Sequence, residues 1–174
     1  MVDTVAIFGL GLLLWTLLEY AIHGWIGHQS TSLARLHAVH HRDPHAIFTI
    51  GAWLPVAIVW TIGIALWGFS PLMVLFSGTL CGFAIYEAIH YRIHFCRPKG
   101  HIERWLREHH LGHHQRMPHR CFGVTSPLWD LIFGTEPTRD REPLFASVRD
   151  TAPIAGRTNI RLLFAFHYFR RPKD

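Results

Sequence analysis

A chain of 174 residues has room for one domain, here read as residues 1–174, and its 49% hydrophobic against 17% charged composition tilts it toward the membrane class. Its three cysteines, Cys81, Cys96 and Cys121, form no CxxC pair, which leaves neither a disulfide scaffold nor a cysteine metal site. The net charge of +5 does not point to nucleic acid: no Lys or Arg occurs in 1–34 or 43–91, and fifteen of the seventeen lie from Arg92 onward, the blockwise pattern of the positive-inside rule.

In chain order, Val5 to Ala21 is apolar apart from Thr16 and Glu19, and with its flanks is long enough to cross a bilayer. It lacks the basic leader and cleavage site of a secretory signal, so it is expected to stay as a span. The basic stretch Arg35 to Arg42 follows. Ile47 to Phe69 is a second apolar run, with Pro55 and Gly63 as kink sites, and Leu72 to Ala88 is a third. Gly68-Phe-Ser-Pro71 between them is a turn signal, so these two runs predict an antiparallel hairpin. In lipid each span satisfies its own backbone only as helix. The expected fold is therefore all-α: an integral-membrane bundle of about three transmembrane helices with a cytosolic helical cap over 92–174. Both basic segments face the cytosol and the amino terminus faces away. Residues 136–158 read as surface loop, and Ile160 to Phe169 as a segment that lies on the membrane or packs on the cap.

The anomaly is histidine, fifteen residues against twelve Asp plus Glu. Imidazole is the commonest metal ligand in proteins. Ten of the fifteen fall in four clusters: His23 and His28 (HxxxxH), His37, His40 and His41 (HxxHH), His90 and His94 (HxxxH), and His110, His113 and His114 (HxxHH). Residues three and four apart share a helix face, so the last three clusters each converge. His23 and His28 are five apart, about 140° around a regular helix. The helix is expected to unwind between them, which Gly24 and Gly27 permit. The predicted topology brings all ten imidazoles to one side of the membrane, where they suffice for two metal ions. Packed without metal they would be a costly set of half-satisfied polar groups, and charged they would repel. Glu19, one turn before His23, and Glu87, three before His90, are candidates to accept a ligand's second N–H. His109 competes with His110 as a ligand or orients one, and Asp130 is a further orienting candidate. His45, His101, His119 and His167 read as ordinary surface or core residues.

The four clusters resemble those of the fatty acid hydroxylase and sterol desaturase superfamily, membrane enzymes with a di-iron site. Phe122-Gly-Val-Thr-Ser-Pro-Leu-Trp-Asp-Leu-Ile-Phe-Gly-Thr135 is similar to the segment after that superfamily's last HxxHH. Tyr86-Glu-Ala-Ile-His90-Tyr-Arg-Ile-His94-Phe and His109-His-Leu-Gly-His113-His114 look closest to the fatty acid 2-hydroxylase branch. The resemblance implies that the ten clustered histidines hold two iron ions, replaceable by zinc on purification, with dioxygen as co-substrate. It implies a lipid substrate taken from the bilayer, a long acyl chain free or within a ceramide-like lipid, hydroxylated at carbon 2. Eukaryotic members of that branch often carry a fused cytochrome b5 domain, and nothing here resembles one. A minimal bacterial type in the inner membrane fits better than an endoplasmic-reticulum enzyme. Two electrons per turnover must then come from an external donor, a ferredoxin or cytochrome b5 with its reductase, and no haem, flavin or nicotinamide motif is present. Arg97, Lys99, Arg104, Arg107, Arg116 and Arg120 flank the last two clusters and fit an acidic carrier. Carotenoid or sterol hydroxylation or desaturation is the alternative within this chemistry. A histidine-rich membrane metal-binding protein is the alternative outside it, although the spans themselves hold almost no ionisable ligands. A zinc hydrolase would need an HExxH, which is absent.

Overall fold

The computed structural model describes residues 2–28, 32–43 and 50–137; the predicted loop 136–158, apart from its first two residues, and the segment Ile160 to Phe169 lie outside them. Among the described residues every regular element is a helix. Helix α1 (Val2–Tyr20) runs on into a π-helical segment, Ala21–Ile26, and is followed by α2 (Ser32–Arg42), α3 (Ile50–Trp67) and α4 (Pro71–Phe95). The cap adds α5 (His101–Gln115) and the short α6 (Leu128–Phe133). Two continuous helical stretches, Asp3–Ile26 and Pro71–Phe95, are long and apolar enough to cross a membrane. They match the first and third predicted spans. Over the second, α3 carries the apolar stretch Trp53–Trp67, shorter than the other two, and residues 44–49 ahead of α3 are not described.

The predicted hairpin is present. Gly68 takes a left-handed φ of 57° at the turn, and Pro71 opens α4 where its missing N–H costs nothing. Trp53 stacks on Phe83 with ring centroids 4.3 Å apart, while Trp60 donates to Ser77 at 2.9 Å, so α3 descends as α4 rises. Against α1, by contrast, α4 lies parallel: Gly78 meets the Phe8 carbonyl, Gly11 meets Leu75 and Gly78, and Gly82 meets Trp15. A Cβ at Gly11 would collide with the Leu75 carbonyl, so only glycine allows the two backbones to come this close. Parallel packing has a functional consequence. It delivers the carboxyl ends of α1 and α4, and with them two histidine clusters, to the same end of the bundle.

The cap is fastened there. Ile93, Leu106, Leu111 and Val124 form a small buried core beneath Tyr86 and Ile89. Arg107 of α5 donates to the carbonyls of Ile93 and Cys96, satisfying acceptors that the last turn of α4 leaves open. Arg92 and Glu103 add a two-pronged ion pair at 2.8 and 2.9 Å between the same helices. Outward, α1 and α3 expose Val5, Leu10, Leu13, Leu54, Val59 and Ile62, as a lipid-facing surface would.

The helix contact yields a paired prediction. Gly11→Ala should destabilise the bundle by about 1–3 kcal/mol through overpacking. Gly9→Ala, with nothing within 4 Å of its Cβ, should be neutral or slightly stabilising. Thermal unfolding of both variants in the same detergent checks the contrast.

Candidate metal centre

The ten clustered histidines do come together, and they sort into two groups. His23, His28, His37, His41 and His113 form one; His40, His90, His94, His110 and His114 form the other. Within each group the ligand atoms all lie within 4.8 Å of one another. Each HxxHH cluster is split. Helix α2 gives its i, i+4 pair His37 and His41 to the first group and His40 to the second, while α5 gives His110 and His114 to the second and His113 to the first. The groups adjoin where the His41 and His114 rings stack at 4.2 Å.

His23 and His28 reach one group by a route that differs from the expected unwinding. The helix widens instead, and the Gly27 N–H bonds the Ile22 carbonyl five residues back at 2.7 Å. In this winding, with its i to i+5 bonds, residues five apart come to one face. The two glycines serve close approach: a Cβ at Gly24 would strike the Phe122 ring at 2.8 Å, and one at Gly27 would crowd the His37 ring at 3.2 Å.

Neighbouring Nε2 atoms stand about one ligand edge apart. His23 and His28 lie 3.0 and 3.2 Å from His113, and His41 lies 3.1 Å from it. In the second group His90 is 3.0 Å from both His40 and His110, and His114 is 3.0 Å from His110. Two nitrogens bound side by side on one ion at about 2.1 Å are separated by about 3 Å.

The tautomers make the point stronger. His23 Nδ1 lies 2.6 Å from the Phe122 carbonyl, and His113 Nδ1 lies 2.8 Å from the Arg120 carbonyl. Carbonyl oxygens only accept, so both Nδ1 atoms carry the proton. In neutral rings both Nε2 atoms then present bare lone pairs 3.0 Å apart, an arrangement that repels unless a cation lies between them. Protonation does not relieve it, because burial and the surrounding imidazoles oppose charge. Burial first, then His41, pushes His40 down to about 4, and burial with His28 does the same to His41. His37 falls to about 2 and His113 to about 3, burial again leading, while His110 and His114 are held well below the usual imidazole range. The donor set therefore fits two metal ions.

The remaining candidates hold the surrounding loop. Asp130, fully buried, accepts the Phe122 and Gly123 N–H groups at 2.9 and 2.8 Å, the Thr135 hydroxyl at 2.7 Å and His109 Nε2 at 3.0 Å. Burial works against its charge, yet the hydrogen bonds from His109, Thr135 and Gly123 hold its carboxyl below the usual range. His109 joins neither group; it is the partner of Asp130. Glu19, expected beside a histidine, instead accepts the Val124 and Thr125 N–H groups and the Thr125 hydroxyl, tying α1 to the loop. Glu87 pairs with Trp53 rather than a histidine, and its Oε2 is buried without a partner. The groups that do orient His23 and His113, the carbonyls of Phe122 and Arg120, were not among the sequence candidates. Between them Cys121 adopts a left-handed φ of 61°, and its N–H turns away to the Thr135 carbonyl at 2.8 Å.

Fold and site together define a helical, membrane-associated protein built around a paired histidine centre. More specifically, the chain belongs to the fatty acid hydroxylase family, whose profile matches residues 8–135. It is 32% identical over 149 residues to the dihydroceramide fatty acyl 2-hydroxylase FAH1 of Arabidopsis thaliana, covering 78% of this chain and 62% of that protein. It is 32% identical over 154 residues to the fatty acid 2-hydroxylase of Rattus norvegicus, covering 80% of this chain and 41% of that protein. The structure of full-length scs7p, in which only the hydroxylase domain is visible, superposes with a TM-score of 0.62 at 26% identity, over 79% of this chain and 58% of that one. The chain thus spans less than two thirds of the length of these relatives.

Asp130 offers the test of this scaffold. Asp130→Ala removes the acceptor of four hydrogen bonds and leaves buried donors unpaired, which should cost several kcal/mol, at about 1–3 kcal/mol per orphaned group. Because the loop also aims two histidines, metal affinity should fall by about 10–100-fold. Denaturant unfolding and metal analysis of the purified variant measure both.

Proposed function

We propose that this chain hydroxylates a lipid acyl chain, free or in a ceramide-like lipid, at carbon 2, with the ten histidines holding two iron ions. The single observation that carries the reading is the convergence of ten imidazole nitrogens into two adjoining groups of five, with lone pairs facing inward. The names of the relatives, dihydroceramide fatty acyl 2-hydroxylase and fatty acid 2-hydroxylase, support the substrate class and the oxidised carbon. Bound in this centre, two iron ions would supply the electron-transfer chemistry that activates dioxygen toward an alkyl C–H bond.

The protein's own part is positioning. The Phe122 and Arg120 carbonyls fix the Nδ1–H tautomers of His23 and His113 and raise the basicity of the opposite nitrogens. Parallel α1 and α4 carry the centre to one end of an apolar bundle, so an acyl chain can arrive along the lipid-facing helices without crossing water. We place that end in the cytosol, with the amino terminus outside and three spans, on the strength of the basic cap. Each turnover needs two electrons from outside, from a ferredoxin or cytochrome b5 type of carrier. Among the basic residues expected to dock it, Arg107 and Arg120 are engaged with backbone carbonyls. Exposed Arg97, Lys99 and Arg104 are better placed.

Lipid profiling of cells with and without the gene is the deciding experiment. The wild-type gene should add one oxygen at carbon 2 of acyl chains, and His40→Ala or His113→Ala should abolish this and lower bound metal. Loss of two hydrogens instead would mean desaturation, and an unchanged profile would sink the reading. Arg97→Glu with Arg104→Glu should raise the KM for the electron carrier and remove its salt dependence; if neither moves, these residues do not dock it. Reporter fusions after Phe69 and after Thr135 should report opposite sides of the membrane.

A further inference from the structure

Helix α6 is six residues long, Leu128–Phe133, and its outward face has no charged group. Its one ionisable residue, Asp130, is fully buried inward, whereas Leu128, Leu131, Ile132 and Phe133 are 40–62% exposed. A surface helix facing water ordinarily carries charged or polar residues on that side. Here the polar side points in and the apolar side points out.

The depth of α6 is fixed by what it touches. The Trp129 indole N–H donates to Thr16 Oγ1 at 2.9 Å, and Phe133 stacks on Tyr20 at 5.2 Å and meets Trp25 edge-on at 5.5 Å. All three partners belong to the apolar stretch Asp3–Ile26. Thr16 lies ten residues before its end, about 15 Å along the axis. A helix held beside that level is alongside the span rather than beyond it. Leu18 of α1 and Ile22, Trp25 and Ile26 of the π-helical segment are exposed apolar side chains too, and Trp25 is the one that meets Phe133.

From this placement we infer that α6 is a membrane-seated helix, lying against α1 with Leu128, Leu131 and Ile132 immersed in lipid at the boundary of headgroups and acyl chains. Apolar faces of interfacial helices sit about 5–10 Å into that boundary. Leu128 and Leu131 also border a cavity shared with Trp105, Arg120 and Glu136, an aromatic and charged rim next to the apolar face. The seat acts on the centre through a short path. Asp130 of α6 binds the Phe122 N–H, and the Phe122 carbonyl orients His23, so the bilayer bears on the loop that aims a histidine.

Photo-crosslinking in the full chain tests the placement directly. Leu131 or Ile132, each exposed and outside the packed interior, is replaced by p-benzoylphenylalanine, with exposed Arg104 of α5 as the comparison site. Each protein is reconstituted in phosphatidylcholine vesicles, irradiated and analysed by mass spectrometry. Adducts heavier by one phospholipid should form at 131 and 132 several-fold more than at 104. Linkage of two chains would instead mean that a second copy covers α6, and linkage to residues 138–174 would mean that the chain covers itself. Either of those as the main product, or lipid adducts no more frequent than at 104, overturns the inference. None of these readouts depends on turnover, so the result stands apart from the fate of the proposed activity.

Discussion

Everything in this molecule answers to one electrostatic problem: ten imidazoles must be kept neutral with their lone pairs facing inward. A single histidine pair shows the difficulty plainly. His23 and His113 each donate Nδ1–H to a carbonyl, so their Nε2 atoms meet at 3.0 Å with no proton between them. Such a cluster repels itself when empty and disperses if its backbone can move. The scaffold prevents that by packing and hydrogen bonding, through glycine-mediated contact between α1 and α4 and through a cap bound to the last turn of α4.

The loop after α5 completes the restraint. It is irregular backbone, which on its own would be the most mobile part of the site. Two buried carboxylates immobilise it from opposite sides: Asp130 from within and Glu19 from α1, each accepting several backbone or hydroxyl donors. The left-handed φ of Cys121 is the conformational cost, of order 1–3 kcal/mol for a non-glycine residue. In return the carbonyls on either side of it, at 120 and 122, both reach histidines.

Much of this was legible in the sequence, and the illegible parts share a cause. Helical spacing predicts that each cluster converges, which holds for His37 with His41, His90 with His94, and His110 with His114, and the blockwise charge brings the clusters to one end. Spacing did not show that His40 and His113 cross to the opposite groups. An i+3 neighbour sits close enough to the shared face to be counted with it, and only the packing of α2 and α5 decides on which side it falls. The π-helical winding at Ala21–Ile26 was equally hidden, since Gly24 and Gly27 are as compatible with a break as with a wider turn. Glu19 and Asp130 stand in the sequence as candidates to orient a ligand histidine, but what they accept is main-chain N–H groups, hydroxyls and, for Asp130, the non-ligand His109. A carbonyl has no letter in the sequence, so the Phe122 and Arg120 acceptors could be found only in three dimensions.

The exchange of His40 and His113 between the groups carries a mechanical implication. Helix α2 has nitrogens in both groups, and so does α5. A rigid rod that turns or slides must displace its contributions to both at once, in the manner of two cams on a common shaft. Neither half can therefore relax, open or tighten through a helix movement without the other following. The two histidine groups form one mechanical unit, and a disturbance arriving at either is felt at both.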